Sequence, residues 1–381
     1  MREERGNAMV ITYKCPNCGG GLQFDPSTQK YKCEFCFSLF TQKELEELQK
    51  EDETEKLDHE ELDQTVDTTV RMDDINQSDK VEEEAEERQT ETVLYECPSC
   101  GAQIVTDETT AATFCYYCHN PVVLSGRVSG NFRPDLVVPF EIDRKKAETI
   151  FTEWIQKKRF VPDDFFSKKQ IETFSGIYFP FWLYDCKVNG RMSAEGVRIR
   201  VWRSGDREYT ETKRYDVSRS GKMEIKHVAK NALKKADKDL VEGILPFDLE
   251  HAKTFSTGFL TGFGAEKRDM GQSDFKEMLQ NEICEYAQAD MKAQASAGYN
   301  RVRVLDQSME IEDEHWSYVL LPVWLMTYQD KKKDRVYFFA LNGQSGKVCG
   351  ELPVDYKKIA VMFFSIFLPL LILFLIGGYL I

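Results

Sequence analysis

YKCPNCGGGLQFDPSTQKYKCEFC, Tyr13 to Cys36, decides how this chain is read, because YECPSCGAQIVTDETTAATFCYYC, Tyr95 to Cys118, repeats its plan at an offset of 82 residues. Both run Cys-x2-Cys, fourteen residues, Cys-x2-Cys, and Tyr13/Tyr95, Pro16/Pro98, Gly19/Gly101, Asp25/Asp107 and Thr28/Thr110 are identical between them. Internal repetition at this scale marks one small device used twice. A Cys-x2-Cys turn presents two thiolates to one ion, and two such turns complete a closed tetrahedral shell. The spacing therefore predicts two zinc ribbons. Cys15, Cys18, Cys33 and Cys36 are the ligands of one structural Zn2+, and Cys97, Cys100, Cys115 and Cys118 the ligands of another. Four thiolates suit iron equally well, so the metal's identity stays open between zinc and a rubredoxin-like iron. A shell filled by protein leaves no coordination position for a substrate, which argues against metal catalysis. Segments this short depend on the metal for most of their folding free energy. Cys115 to His119, CYYCH, also matches the covalent haem pattern. That match is set aside because it strands Cys97 and Cys100 and because the equivalent of His119 in the first repeat is Phe37.

Outward from the ribbons, charge divides the chain. Lys43 to Thr92 holds 21 acidic and 6 basic residues and no aromatic one, which reads as a solvated tether, and the remainder of the chain nets +1. Within the tether, Thr41 and Glu44 are placed to form a capping box for a short helical turn from Glu44 to Gln49. The 381 residues are enough for two or three domains. No secretory apolar region follows the charged start, so the eleven cysteines fit a reducing compartment better than a disulfide framework. At the other end, Ile359 to Ile381 contains 23 residues without a charge, about 35 Å as a helix and enough to cross a bilayer once. Lys357 and Lys358 precede it, which by the positive-inside rule places the N-terminal body in the cytoplasm, at the plasma membrane. The divisions expected are a tail (1–12), ribbon one (13–40), the acidic linker (41–92), ribbon two (93–124), a body (131–356) and a transmembrane helix (359–381).

The body reads as α+β, a mixed assembly of antiparallel sheet and helices. Asp143 to Lys158 carries Ala147, Ile150, Phe151, Trp154 and Ile155 on one face, a helix. Val197 to Val201, Glu208 to Val217 and Met223 to Val228 alternate as a three-stranded meander, with turns at Ser204–Asp206 and Ser218–Gly221. Ser273 is placed to cap a helix that Gly298 ends. The chain then closes in hairpins through Trp316–Tyr328, Arg335–Leu341 and Lys347–Gly350, turning at Gln329–Asp334 and Asn342-Gly343. A weaker repeat relates YFPFWLYD (178–185) to YVLLPVWLMTY (318–328) and VPFEID (138–143) to LPFDLE (245–250), the mark of an internal duplication whose Pro-x-Trp-Leu strands belong in a core.

Tandem four-cysteine ribbons, LVVPFEIDRKKAETIFTEWI, GIYFPFWLYD, FSTGFLTGFGAE, LLPVWLMTYQ, NGQSGKVCGELPVD and a terminal span together resemble the bacterial membrane proteins called TFIIB-type zinc ribbon-containing proteins, a group also labelled primosomal helicase. The likeness covers nearly the whole chain except the acidic tether. It implies zinc on the eight cysteines named above and no known enzymatic activity. Its members often sit near genes for phage-shock-A-like and SPFH-type membrane proteins, which implies a scaffold with a membrane-associated protein partner.

The helicase label fails on mechanism, since no G-x4-G-K-[ST] phosphate loop occurs. HExxH, G-x-S-x-G and GxGxxG are absent too, and His59, His119, His227, His251 and His315 are scattered. Cys186, Cys284 and Cys349 stand alone and read as small apolar residues. The expectation is a non-enzymatic, zinc-binding scaffold or adaptor, anchored in the bilayer through 359–381. The alternative is a membrane-tethered nucleic-acid-binding protein, because Arg191 to Asp239 holds 14 basic against 8 acidic residues with Trp202, Tyr209 and Tyr215 interleaved.

Overall fold

The computed structural model describes residues 10–11, 13–45, 47, 92–96, 103–107, 109–114, 121–124, 127–162, 174–330 and 335–379. Its strands are β1 (Val10–Ile11), β2 (Leu22–Asp25), β3 (Lys30–Cys33), β4 (Leu39–Phe40), β5 (Thr92–Glu96), β6 (Gln103–Asp107), β7 (Thr110–Phe114), β8 (Pro121–Leu124), β9 (Leu136–Val137), β10 (Ser175–Ser204), β11 (Arg207–Asn231), β12 (Lys253–Thr254), β13 (Gly264–Glu266), β14 (Arg301–Asp330), β15 (Arg335–Asn342) and β16 (Val348–Gly350). The fold is mixed α+β. β2, β3 and β4 form one small sheet and β5 and β6 a second, and the other eleven strands join in one large sheet.

β10 and β14 are the axis of that sheet, antiparallel from Ser175↔Leu325 to Val197↔Arg301. The two Pro-x-Trp-Leu segments lie side by side there, with Pro180 opposite Leu320 and Pro322 opposite Tyr178. Tyr178, Trp182 and Tyr184 join Tyr318, Leu320 and Trp324 in one buried cluster, while Phe179, Phe181 and Leu183 join Val319, Leu321 and Val323 in another. Both faces of the sheet are therefore covered at this level, and the sequence runs almost continuously apolar for that reason. The prolines are tolerated because each sits where the neighbouring strand changes. Below Pro180 the edge of β10 is held by β13 and above it by β11, and below and above Pro322 the edge of β14 is held by β9 and β15. The carbonyls of Pro180 and Pro322 face those gaps, accepting from Ala232 and Gly343 N–H. The missing proline N–H groups thus cost no ladder bond there.

Beyond the core, the expected meander is one long hairpin. β10 and β11 pair from Phe181↔Asn231 to Ser204↔Arg207, with Gly205-Asp206 as the turn. Ser218 to Gly221, expected as a turn, is strand: it pairs with Ser193 to Gly190, whose own other edge is held by β14. A Ser/Gly-rich composition is outweighed by a ladder already running on both sides of it. The helix Ser273–Ser296 lies on this arm through Phe275, Leu279, Ile283, Ala287 and Ala295. Ser273 is its first helical residue rather than its cap, the cap Gln272 makes no side-chain capping bond, and Asp274 accepts Gly271 N–H at 2.6 Å just ahead of the helix. The helix expected over Asp143 to Lys158 runs Arg144–Gln156, with Asp143 as its cap accepting Lys146 N–H at 2.7 Å, and it buries Ala147, Phe151 and Ile155.

The C-terminal helix runs from Tyr356 to Tyr379, and Tyr356–Leu375, with mean hydropathy 2.5 and none of it buried, is long and apolar enough to cross a membrane. Lys357 and Lys358 belong to its first turn rather than preceding it. Lys358 Nζ donates to Val161 O at 2.8 Å, and Asp355 N–H to Phe160 O at 2.7 Å. These bonds fix the helix to the extension of the 144–156 helix. β10 starts at that same end of the fold, where Phe174 packs against Phe151 and Trp324.

Candidate metal centre

Two turns of the same kind build the site in the first repeat. Gly19 N–H donates to Cys15 O and Cys15 N–H to Gly20 O, and eighteen positions on Phe37 N–H donates to Cys33 O and Cys33 N–H to Ser38 O. Both turns need a left-handed residue just after the second cysteine. Gly19 provides φ 73° as expected, and Phe37 adopts φ 59° in the matching place. A side chain there costs roughly 1–2 kcal/mol. The alignment of Phe37 with Gly19 within the repeat was the available signal for this strained residue, and composition alone hid it.

The four Sγ atoms lie within 4.8 Å of one another, with Cys15 to Cys36 at 3.5 Å and Cys18 to Cys33 at 3.4 Å. A tetrahedral zinc with bonds of about 2.3 Å separates its sulfurs by about 3.7 Å, so this group fits one such ion. Cys15 and Cys33 are buried, Cys18 and Cys36 exposed. Packed together, the thiols titrate unequally. The hydroxyl and N–H of Ser38 stabilise the Cys36 thiolate and bring it down to about 6, with Ser38 Oγ 3.2 Å from the sulfur. For Cys18 the Gly20 N–H also favours the thiolate, but the neighbouring Cys33 and Cys36 outweigh it and push the thiol up to about 12. Burial raises Cys15.

The strands hold this cluster against the body. Leu22, Phe24 and Tyr31 are buried in the main core cluster, Phe24 packing edge-on against both Tyr31 and Phe259 at 5.4 Å. Phe24 N–H donates to Thr261 O, Tyr13 Oη bonds Thr257 Oγ1, and Gln29 Nε2 donates to Phe140 O. The receiving segment is Phe255 to Phe263, with Phe263 stacked on Phe140 at 4.2 Å. Gly258 is required at the contact, since a Cβ there would lie 2.6 Å from Tyr31 Oη. The capping box forms as well: Thr41 N–H donates to Glu44 at 2.7 Å and Glu44 N–H to Thr41 Oγ1 at 3.4 Å.

Cys97, Cys100, Cys115 and Cys118, like His59, His119, most of the tether and 331–334, lie outside the described residues, and Gln329 and Asp330 of the expected Gln329–Asp334 turn are strand, paired with Val336 and Arg335. What is described beside the second set is its frame. β7 pairs with β8 and with β13, and β8 pairs with β1, so Val10–Ile11 of the expected tail is a strand of the large sheet. The Arg127 guanidinium lies 5.2 Å over the Tyr95 ring and donates to Thr110 O. Neither β13 nor the 255–263 cradle was assigned a role from sequence, although both fall inside the quoted FSTGFLTGFGAE motif.

Among the other candidates, Cys186 is buried, and Cys284 and Cys349 are half-buried. His251 pairs with Glu141 at 2.9 Å, and that carboxylate raises it. In the basic stretch Arg203, Lys213, Arg214, Lys222, Lys226, Lys230 and Lys235 each meet a glutamate within 3.7 Å.

Among curated proteins, the uncharacterized protein YdjG of Bacillus subtilis (strain 168) is 31% identical over 358 residues, covering 94% of this chain and 94% of its own length. No family model matches the chain. No solved structure matches it.

Proposed function

The chain belongs to the family of Bacillus subtilis YdjG, and from that footing we propose that it is a non-enzymatic, zinc-binding scaffold that organises other proteins at the cytoplasmic face of the membrane. The observation that carries this reading is a four-thiolate cluster packed into the same core as Val161, whose carbonyl accepts from Lys358 at the start of the apolar terminal helix. Cys15, Cys18, Cys33 and Cys36 would hold one structural zinc, and Cys97, Cys100, Cys115 and Cys118 a second. When bound, zinc ties the two turns together and neutralises the clustered thiolates. The chain's own residues then shape a docking body rather than a reaction site. The closed donor set favours a structural role over catalysis, and the two Pro-x-Trp-Leu strands are consistent with an ancestral duplication. A membrane-associated protein of the phage-shock-A-like or SPFH type is the proposed partner, by the resemblance carried by the quoted motifs. Nucleic acid is the weaker reading, because seven of the fourteen cations in Arg191–Asp239 already have acidic partners.

Nuclease-treated affinity purification of the detergent-solubilised full chain, with mass spectrometry and elemental analysis, tests this. Two zinc ions per chain and a near-stoichiometric membrane-protein partner are expected. Loss of all protein partners, with nucleic acid that salt removes from untreated samples, would reverse the ranking. Iron in place of zinc would correct the metal alone.

A further inference from the structure

The far end of the arm is built differently from the rest of it. β14 leaves the sheet at Arg301, opposite Val197, so beyond that level β10 pairs with β11 alone. Arg198–Ser204 and Arg207–Lys213 are thus a two-stranded ribbon that joins the three-stranded arm at Val197 and Arg214, a structure only marginally stable in water without something against one face. Ile199 and Val201 stand on one side, opposite Thr212 and Thr210. Trp202 and Arg200 stand on the other, opposite Tyr209 and Glu211. Ile199, Val201, Trp202 and Tyr209 are each 42–55% exposed. From 198 to 214 there are six Arg/Lys against three Asp/Glu. Arg203, Lys213 and Arg214 are ion-paired, and among the described residues Arg198, Arg200 and Arg207 make no ion pair.

We propose that this ribbon tip docks on the anionic lipid headgroups of the bilayer that the C-terminal helix enters. The proposal rests on reading that helix as a membrane span. Three observations select lipid. The tip carries a positive excess, which an anionic leaflet attracts. Its exposed side chains are Trp, Tyr and aliphatics, the combination that settles where headgroups meet acyl chains. Its aromatic rings are also already engaged: Trp202 stacks on Tyr209 at 5.6 Å with the Arg200 guanidinium 5.8 Å from its centroid. Bases would need free ring faces, whereas a headgroup layer needs amphipathic edges and nearby cations, and Ile199 and Val201 offer nothing to a nucleotide. The tip is also held in place from behind. The Arg198 guanidinium sits against both the Tyr215 and Tyr299 rings at 5.5 and 5.6 Å, the two rings meeting each other at 5.5 Å, and donates to Gly298 O, which fastens the ribbon to the end of the 273–296 helix.

Geometry then sets an orientation. The 30 residues of β10 trace roughly 100 Å of strand at about 3.3 Å each, with the membrane helix at its start and the tip at its end. Contact at both places requires the arm to lie along the bilayer instead of standing on it.

The test uses the full chain in nanodiscs of phosphatidylcholine alone and of phosphatidylcholine with phosphatidylglycerol, followed by amide hydrogen exchange. Exchange across 198–214 is expected to slow roughly tenfold in the anionic discs relative to the neutral ones, and to return to the neutral rate in a Trp202→Ala/Arg200→Gln variant whose core strands stay protected. Equal exchange in both discs, with the chain resistant to carbonate extraction, overturns the proposal and leaves the span standing. Extraction by carbonate overturns the span reading and this proposal with it. Slowing produced by an added oligonucleotide in neutral discs, but not by anionic lipid, assigns the tip to nucleic acid and overturns the proposal likewise.

Discussion

β2 and β3 of the first repeat and β6 and β7 of the second come from matching sequence, yet they meet the body by opposite edges. The first repeat closes its own three-stranded sheet and touches the cradle mainly through side chains, with Phe24 N–H to Thr261 O as its backbone link. In the second, β7 is hydrogen-bonded to β13, which lies parallel to β10, so that repeat's strand is part of the large sheet. Both land on one stretch, Phe255 to Glu266, the first on its front half and the second on its back half. Duplicated sequence thus keeps the Cys-x2-Cys spacing and leaves the docking edge free to diverge, because the spacing is local and the edge depends on what lies opposite.

That contrast can be broken most forcefully at the cysteines. Cys97→Ser/Cys100→Ser is expected to abolish protection in β7, β8 and β1 as well as in its own turns, since those strands share one ladder. Cys15→Ser/Cys33→Ser is expected to unfold 13–45 and leave the exchange of β10 and β14 unchanged. Body strands that exchange identically in both variants would erase the distinction. Next in size is the side-chain docking of the first repeat. Phe24→Ala should destabilise it by about 3–5 kcal/mol, and Gly258→Val, which forces Tyr31 away, by about 1–3 kcal/mol, both measurable by local exchange. Either variant falling within a few tenths of wild type would place the docking energy elsewhere. The smallest expected effect has the opposite sign. Phe37→Gly should stabilise the second turn by about 1 kcal/mol, and a loss of stability in thermal unfolding would mean that the contact of Lys32 Nζ with the ring, 5.9 Å from its centroid, outweighs the strain.

Acidity sharpens the same picture. Cys36 is lowered and Cys15 and Cys18 are raised, so metal-free thiols hold protons that an ion must displace. Affinity for zinc should therefore rise with pH from about 6 upward, and fewer than four protons should be released per ion at neutral pH because Cys36 is already largely ionised. Calorimetry in buffers of different ionisation enthalpy counts them, and a release of four would contradict the assignment for Cys36.

What was legible in the sequence was whatever short spacing decides: the Cys-x2-Cys turns, the capping box at Thr41 and Glu44, the helix after Asp143, the apolar terminal helix and the buried Pro-x-Trp-Leu strands. What stayed hidden was decided by partners far along the chain. Ser218 to Gly221 carries every local mark of a turn, and it is strand because β10 holds it in register. The strain at Phe37 needed the comparison with Gly19. The roles of Phe255 to Glu266 depend on strands far back in the chain, Phe24 on Phe259 and Ala112 on Ala265 being the clearest cases.

That separation orders events during synthesis. The first repeat leaves the ribosome about 220 residues before its cradle does, an interval on the order of 10–40 s at about 5–20 residues per second. A fold that closes within 13–45 around its own four cysteines gives this segment somewhere to wait. β1, by contrast, has nothing to pair with until β8 follows it out. The apolar helix is made after both halves of the cradle, so β2, β3 and β7 have their seats before it appears.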